Sequence, residues 1–129
     1  MTKSNLNWAR NIAETFSKLG VEQVCISPGS RNTPLTIAFV ENNQLRCHSI
    51  IDERSNGFFA LGIAKATRKP VIILTTSGTA AANLYPAIIE ANLSCTPLII
   101  LTADRPEYLI GTGANQTIDQ KHSIGGLWY

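Results

Sequence analysis

The sequence predicts a doubly wound α/β domain: a mostly parallel sheet with helices on both faces. Two observations carry that prediction. Val71-Ile72-Ile73-Leu74 and Leu98-Ile99-Ile100-Leu101 are continuous apolar runs rather than alternating ones, the pattern of strands covered on both faces. Strand-like runs also alternate with stretches of helical periodicity, the order that builds parallel βαβ units. Full burial is worth roughly 1.5–3 kcal/mol per aliphatic side chain, against about 1–2 kcal/mol for ordering each backbone residue. The two runs therefore overcome their own ordering only if both of their faces stay dry.

Each element has its own signal. Leu6, Ala9, Ile12, Ala13, Phe16 and Leu19 recur at helical spacing from Asn5 to Leu19. Ser4 or Asn5 can cap the start, and Gly20 suits a left-handed stop. Val21 to Ile26 reads as a short strand, broken by Ser27-Pro28-Gly29. Thr33-Pro34 reads as an N-cap followed by proline at the first helical position, with a helix to about Asn42. Arg46 to Ile51 is the second strand. Glu53 to Lys69 is a helix carrying Phe58, Phe59, Leu61, Ile63 and Ala64, and Pro70 ends it. Gly78 to Asn92 is helix-forming despite Pro86, with Ala80, Ala81, Leu84, Ile88 and Ile89 as its apolar stripe. Gly111 to Gln116 looks like a loop. The chain closes on Ser123-Ile124-Gly125-Gly126-Leu127-Trp128-Tyr129, exposed-looking aromatics that suit a fragment or a chain with a partner.

Bulk properties narrow the function. At 129 residues, with 44% hydrophobic and 16% charged residues, the chain is expected to fold as one ordinary domain. A net charge of +2 with no Lys/Arg block argues against nucleic acid. Cys25, Cys47 and Cys95 lie far apart in apolar segments with no metal-ligand spacing, and are expected to be reduced, buried packing residues. Met1-Thr2-Lys3-Ser4-Asn5 leads into an amphipathic segment, so no signal peptide is expected. No apolar run approaches the ~20 residues of a membrane span. A cytoplasmic protein is the expectation.

In a parallel sheet, four polar segments share one edge: Ser27 to Arg31, Asp52-Glu53, Thr75 to Thr79 and Thr102 to Arg105. That edge is where open α/β sheets bind small molecules. Glu53 is either a first-turn acid favoured by the helix dipole or a functional carboxylate able to share a proton with a ligand nitrogen. Ser77-Gly78-Thr79 is either an anion-binding turn or a simple N-cap. Arg31 and Arg105 suit bidentate carboxylate binding, or are ordinary surface arginines. His48, inside a strand, and His122 read as structural or solvent-exposed. Glycine-rich nucleotide fingerprints are absent.

From Trp8 to Gln120 the chain resembles one family. The strings are Ser-Pro-Gly-Ser-Arg (27–31), Asp-Glu-Arg (52–54), Thr-Ser-Gly-Thr-Ala (76–80), Ala-Asn-Leu-Tyr-Pro-Ala (82–87), Leu-Thr-Ala-Asp-Arg-Pro (101–106) and Gly-Ala-Asn-Gln (113–116). They are similar to the thiamin diphosphate-dependent 2-succinyl-5-enolpyruvyl-6-hydroxy-3-cyclohexene-1-carboxylate synthases of menaquinone biosynthesis. The resemblance implies that residues 1–129 form the N-terminal pyrimidine-binding domain, without the family's central and diphosphate-binding domains. It implies a transferase that decarboxylates 2-oxoglutarate and adds the succinyl carbanion equivalent to isochorismate. Glu53 would be catalytic, hydrogen-bonding the cofactor's pyrimidine nitrogen. Pro28, Gly29, Thr76, Ser77, Gly78 and Asn83 would complete the cofactor pocket. Ser30, Arg31, Arg105, Asn115 and Gln116 would contact substrate. Magnesium would be held by the absent diphosphate domain, so this chain would supply no metal ligand. A homo-oligomer, dimer or tetramer, is implied, and the isolated chain is expected to be inactive. The competing readings are a stand-alone ligand-binding or regulatory module and a half-subunit needing a separate partner chain.

Overall fold

The computed structural model describes residues 3–120. The closing aromatics and His122 lie outside the described residues. In chain order the elements are α1 (Lys3–Lys18), β1 (Gln23–Ile26), α2 (Thr33–Glu41), β2 (Arg46–Ser49), α3 (Glu53–Thr67), β3 (Val71–Thr75), α4 (Thr79–Asn83), α5 (Tyr85–Leu93) and β4 (Leu98–Thr102). A 3₁₀ turn over Glu107–Leu109 follows. The strands form one sheet in the order β2-β1-β3-β4, and every pair is parallel.

Two apolar layers cover the sheet, as a doubly wound domain requires. On one face Val24, Ile26, Ile72 and Leu74 meet Ala9 and Ala13 of α1 and Ala38 and Phe39 of α2. On the other, Cys25, Val71 and Ile73 meet Ala60 and Ala64 of α3 and Leu84. β3 is buried at all five positions, because it lies inside the sheet between helices on both sides.

Several expectations needed correction. β4 is only half-buried at every position, although its sequence matches that of β3; among the described residues it lies at the end of the strand order, with one neighbour. The expected helix from Gly78 to Asn92 is two helices meeting at Leu84. Pro86 has no N–H for the fourth carbonyl behind it, and its ring crowds that turn. Thr33 is not the N-cap but the first helical residue. Asn32 holds the cap position, and the Thr33 hydroxyl donates back to the Ser30 carbonyl (2.8 Å). The first helix begins at Lys3, so Ser4 and Asn5 lie within it. β2 stops at Ser49, leaving Ile51 82% exposed.

The cysteines divide. Cys25 is buried, Cys47 half-buried and Cys95 exposed. Burial, with a smaller contribution from Cys47, pushes the Cys25 thiol up to about 12. Cys25 and Cys47 pack into opposite layers of the sheet, so neighbouring strands do not make them a disulfide pair.

The two glycines of α3 do different things. A Cβ on Gly57 would sit 2.9 Å from Ala87 Cβ, whereas one on Gly62 would meet nothing within 4 Å. Gly62→Ala is expected to stabilise the chain by about 0.5–1 kcal/mol through helix propensity alone. Gly57→Ala gains the same propensity but forces α3 and α5 apart, at about 1–3 kcal/mol. Urea midpoints moving in opposite directions for the two variants are the expected result; a rise for both would contradict the close crossing.

Candidate active site

The strand order places a topological switch point between β1 and β3: the chain leaves β1 toward β2 on one side and continues beyond β3 on the other. Ligands of open α/β sheets bind in the crevice outside the carboxyl ends of the strands at such a point. Ser27-Pro28-Gly29 leaves β1 and Thr76-Ser77-Gly78 leaves β3, so the two expected cofactor-pocket segments flank that crevice. They touch: a Cβ on Gly29 would fall 2.4 Å from Thr76 Cβ. Glycine is required there because the two loops approach within the radius of a side chain.

Glu53 opens α3 directly after β2, the strand next to β1. The capping work at this helix is done by its neighbour. Asp52 accepts the Ser55 backbone N–H (2.7 Å), and that bond holds the Asp52 carboxyl below its ordinary value. Glu53 is half-buried and has no hydrogen bond or ion pair among the described residues. The sheet thus presents a carboxylate beside its switch point that no local structural role consumes.

Beneath this edge lies a buried polar cluster that the sequence did not signal. Asn56, one helical turn after Glu53, donates to Ser27 Oγ (2.8 Å) and to the Cys25 carbonyl (3.4 Å). Asn32 donates to the Ser27 carbonyl (2.8 Å). Asn32, Asn56 and Ser27 are each 0% exposed, and both asparagine Oδ1 atoms lack a partner among the described residues. These bonds fix the loop leaving β1 to the first turn of α3, so Pro28, Gly29 and Glu53 are held in one rigid unit.

Arg31 is half-buried, with no hydrogen bond or ion pair among the described residues; Ser30, before it, is exposed. Arg105 follows β4. Its guanidinium Nη2 donates to the Asn115 carbonyl, while its Nε is buried without a partner among the described residues. Asp104 accepts the Arg105 backbone N–H (2.7 Å) rather than pairing with its guanidinium. The ion pairs of the described residues, Arg10–Glu41, Glu14–Lys18, Glu22–Lys69 and Lys65–Glu90, involve none of these groups. The strands that launch Glu53 and Arg105 are the two outermost, three steps of about 4.8 Å apart, so roughly 14 Å separates their ends.

The Ser77-Gly78-Thr79 turn does not offer its glycine N–H to an anion. That N–H donates to Gln120 Oε1 (2.6 Å), and the Ser77 hydroxyl donates to the Gln116 carbonyl (2.9 Å). Residues 111–120 fold back over the ends of β3 and β4, bringing Asn115 and Gln116 to the site edge with exposed side chains. Gln120 is a site-edge residue that the sequence reading missed; nothing in its local sequence separates it from an ordinary loop glutamine. Asn83 closes α4, roughly 7.5 Å of helix rise beyond Gly78, and its side chain is exposed without a hydrogen bond to the other candidates. His48 is structural, as expected. It bonds Gln23 (2.8 Å) and meets the Phe59 ring edge-on, with burial and then Arg46 lowering its pKa.

Among the described residues no group of three or more His, Cys, Asp and Glu side chains could hold a metal ion. No described helix is long and apolar enough to cross a membrane.

Comparison with known proteins agrees with the geometry. The family model described as "Thiamine pyrophosphate enzyme, N-terminal TPP binding domain" matches residues 6–123. The chain is 59% identical over 121 residues to the 2-succinyl-5-enolpyruvyl-6-hydroxy-3-cyclohexene-1-carboxylate synthase of Histophilus somni (strain 129Pt), covering 92% of this chain and 21% of that protein. It is 58% identical over 116 residues to the synthase of the same name from Pectobacterium carotovorum, covering 90% and 21%. It is 57% identical over 126 residues to that of Actinobacillus pleuropneumoniae, covering 94% and 22%. The chain thus spans about a fifth of the length of the curated relatives it matches. With a topological switch point between β1 and β3 and a family model that covers the whole sheet, the chain belongs to the thiamine pyrophosphate enzyme family, as an N-terminal TPP binding domain.

Proposed function

We propose that residues 1–129 are the N-terminal, pyrimidine-binding domain of a thiamin diphosphate-dependent synthase of menaquinone biosynthesis, which decarboxylates 2-oxoglutarate and joins the succinyl unit to isochorismate. The observation that carries this reading is Glu53: half-buried beside the switch point, with capping delegated to Asp52 and no side-chain partner among the described residues. The names of the relatives give the product that such a synthase makes; the substrates come from the resemblance of the motifs.

The residues present fit the pyrimidine end of the cofactor. A carboxylate without a partner suits a ring nitrogen that shares a proton, and the Gly29–Thr76 contact sets the floor of a narrow crevice. They do not fit its metal-diphosphate end, because the Gly78 N–H is already bonded and the described residues hold no metal-ligand cluster. Magnesium would be held by the diphosphate-binding domain of the longer protein. Thiamin diphosphate, when bound, supplies the electron sink for making and breaking bonds beside a carbonyl carbon. Glu53 holds a proton at the pyrimidine nitrogen. Pro28, Gly29, Thr76, Ser77 and Gly78 shape the crevice, with Asn83 at its periphery. Arg31, its charge not neutralised by any described residue, and Arg105, with a buried unsatisfied Nε, bind substrate carboxylates. Ser30, Asn115 and Gln116 add polar contacts.

A homo-oligomer fits the exposed apolar face of α3 and α5. Phe58 and Phe59 on α3 are each 46% exposed, and Tyr85, Ile89 and Leu93 form a stripe along α5. Such a face suits a covered surface better than a self-sufficient module. Three free thiols suit the reducing cytoplasm.

A chimera tests the reading: residues 3–120 of this chain replace the matching residues of the Histophilus somni synthase. The chimera is expected to turn over 2-oxoglutarate and isochorismate with thiamin diphosphate and Mg²⁺, while pure chain 1–129 does not. A folded but inactive chimera, or synthase activity in the pure chain, would contradict the proposal.

A further inference from the structure

We infer that Gln120 is a positioning residue, whose carboxamide latches residues 111–120 over the Gly78 turn and so fixes Asn115 and Gln116 at the edge of the crevice. The inference rests on the reading of Asn115 and Gln116 as substrate contacts.

Gln120 is only 6% exposed, and every polar group of its side chain is used. Oε1 accepts the Gly78 N–H (2.6 Å), while Nε2 donates to the Ala103 carbonyl (3.0 Å) and to Thr102 Oγ1 (3.3 Å). The amide can sit only this way round, since a flip would set NH₂ against an N–H and oxygen against a carbonyl. One side chain therefore joins the turn after β3 to the end of β4, across the mouth of the strand pair.

The rest of the strap spends its backbone on the sheet. Arg105 holds the Asn115 carbonyl and Ser77 the Gln116 carbonyl. The Gln116 backbone packs where a Gly78 side chain would be, with Cα, C and O 2.6–2.7 Å from an ideal Cβ. That packing needs glycine at 78, and it holds Gln116 in the left-handed region at φ 54°. With both backbones facing the sheet, the exposed side chains of Asn115 and Gln116 are what the strap presents. Of the two side-chain bonds from the sheet to Asn115 and Gln116, the one from Arg105 is exposed and the one from Ser77 part-buried, whereas the Gln120–Gly78 bond is buried.

Amide hydrogen exchange on chain 1–129 tests the latch. Gln120→Ala is expected to speed exchange of the Gly78 amide and of residues 111–117 by about ten- to hundredfold, with β1 and β3 unchanged. Gln120→Met fills similar volume without the hydrogen bonds and is expected to behave like the alanine variant. Unchanged exchange at Gly78, a uniform rise throughout the chain, or wild-type protection in the methionine variant would each overturn the latch. In the Histophilus somni chimera, Gln120→Ala is expected to raise KM for 2-oxoglutarate or isochorismate about tenfold, with kcat within about threefold. A loosened strap with both KM values unchanged would overturn the positioning role and leave the cofactor reading standing. An inactive parent chimera would instead count against the cofactor reading, leaving exchange to decide the latch.

Discussion

Glu53→Gln in the chimeric synthase is expected to lower kcat by about 10²–10⁴-fold, the range for losing a positioned acid–base group. Folding should hardly notice. Asp52, not Glu53, caps α3, so the variant loses only a favourable charge near the helix N-terminus, about 0.3–1 kcal/mol. The combination discriminates between the two readings of this residue. Either role allows a small drop in the thermal midpoint; a helix-charge role leaves turnover intact, whereas a pyrimidine-binding role removes most of it. Turnover within tenfold of the parent would sink the assignment of Glu53.

The second large effect is on stability. Asn56→Asp keeps the shape of the side chain and removes its donor. The Cys25 carbonyl loses its bond, Ser27 Oγ must turn from acceptor to donor, and a carboxylate replaces the amide at a site 0% exposed. An uncompensated buried charge of this kind costs about 3–5 kcal/mol at neutral pH, a large share of a typical domain's about 5–15 kcal/mol. Desolvation raises the introduced carboxyl's folded pKa above its unfolded value of about 3.9. The sign follows: the neutral acid is tolerated below that unfolded value, and stability is lost as pH rises through the folded pKa. The gap in urea midpoint between wild type and variant should therefore be wide at pH 7.5 and narrower at pH 4.5. A gap that widened in acid, or stayed below about 1 kcal/mol at pH 7.5, would mean that the Ser27–Asn56 bond does not hold the two loops.

Much of the site was legible because its parts are local. Glu53 was visible as an acid at a strand-to-helix junction, Gly29 and Gly78 as turn glycines, and Arg31 and Arg105 as cations after strands. Their convergence followed from one inference, that strands with continuous apolar runs are parallel. The misses were of two kinds. Pro86 looked tolerable inside a helix by pattern, but a missing N–H acts at one peptide and splits α4 from α5. Gln120 and Asn56 were invisible because a buried amide is identified by its partners, and theirs lie far away in the chain: 42 residues from Gln120 to Gly78 and 29 from Asn56 to Ser27.

By itself the sequence determined the fold class, the order of helices and strands and which side chains end each strand, since periodicity and turn chemistry act over a few residues. The resemblance of its motifs reached the family. Only the tertiary structure decided that β3 is buried and β4 an edge, although both read as apolar strands, because burial depends on which strands pair. It also decided that the Gly78 N–H is closed by Gln120 and that Asp52 rather than Glu53 caps α3. Hydrogen-bond donors are satisfied by whatever packing brings near, and no local pattern records that choice.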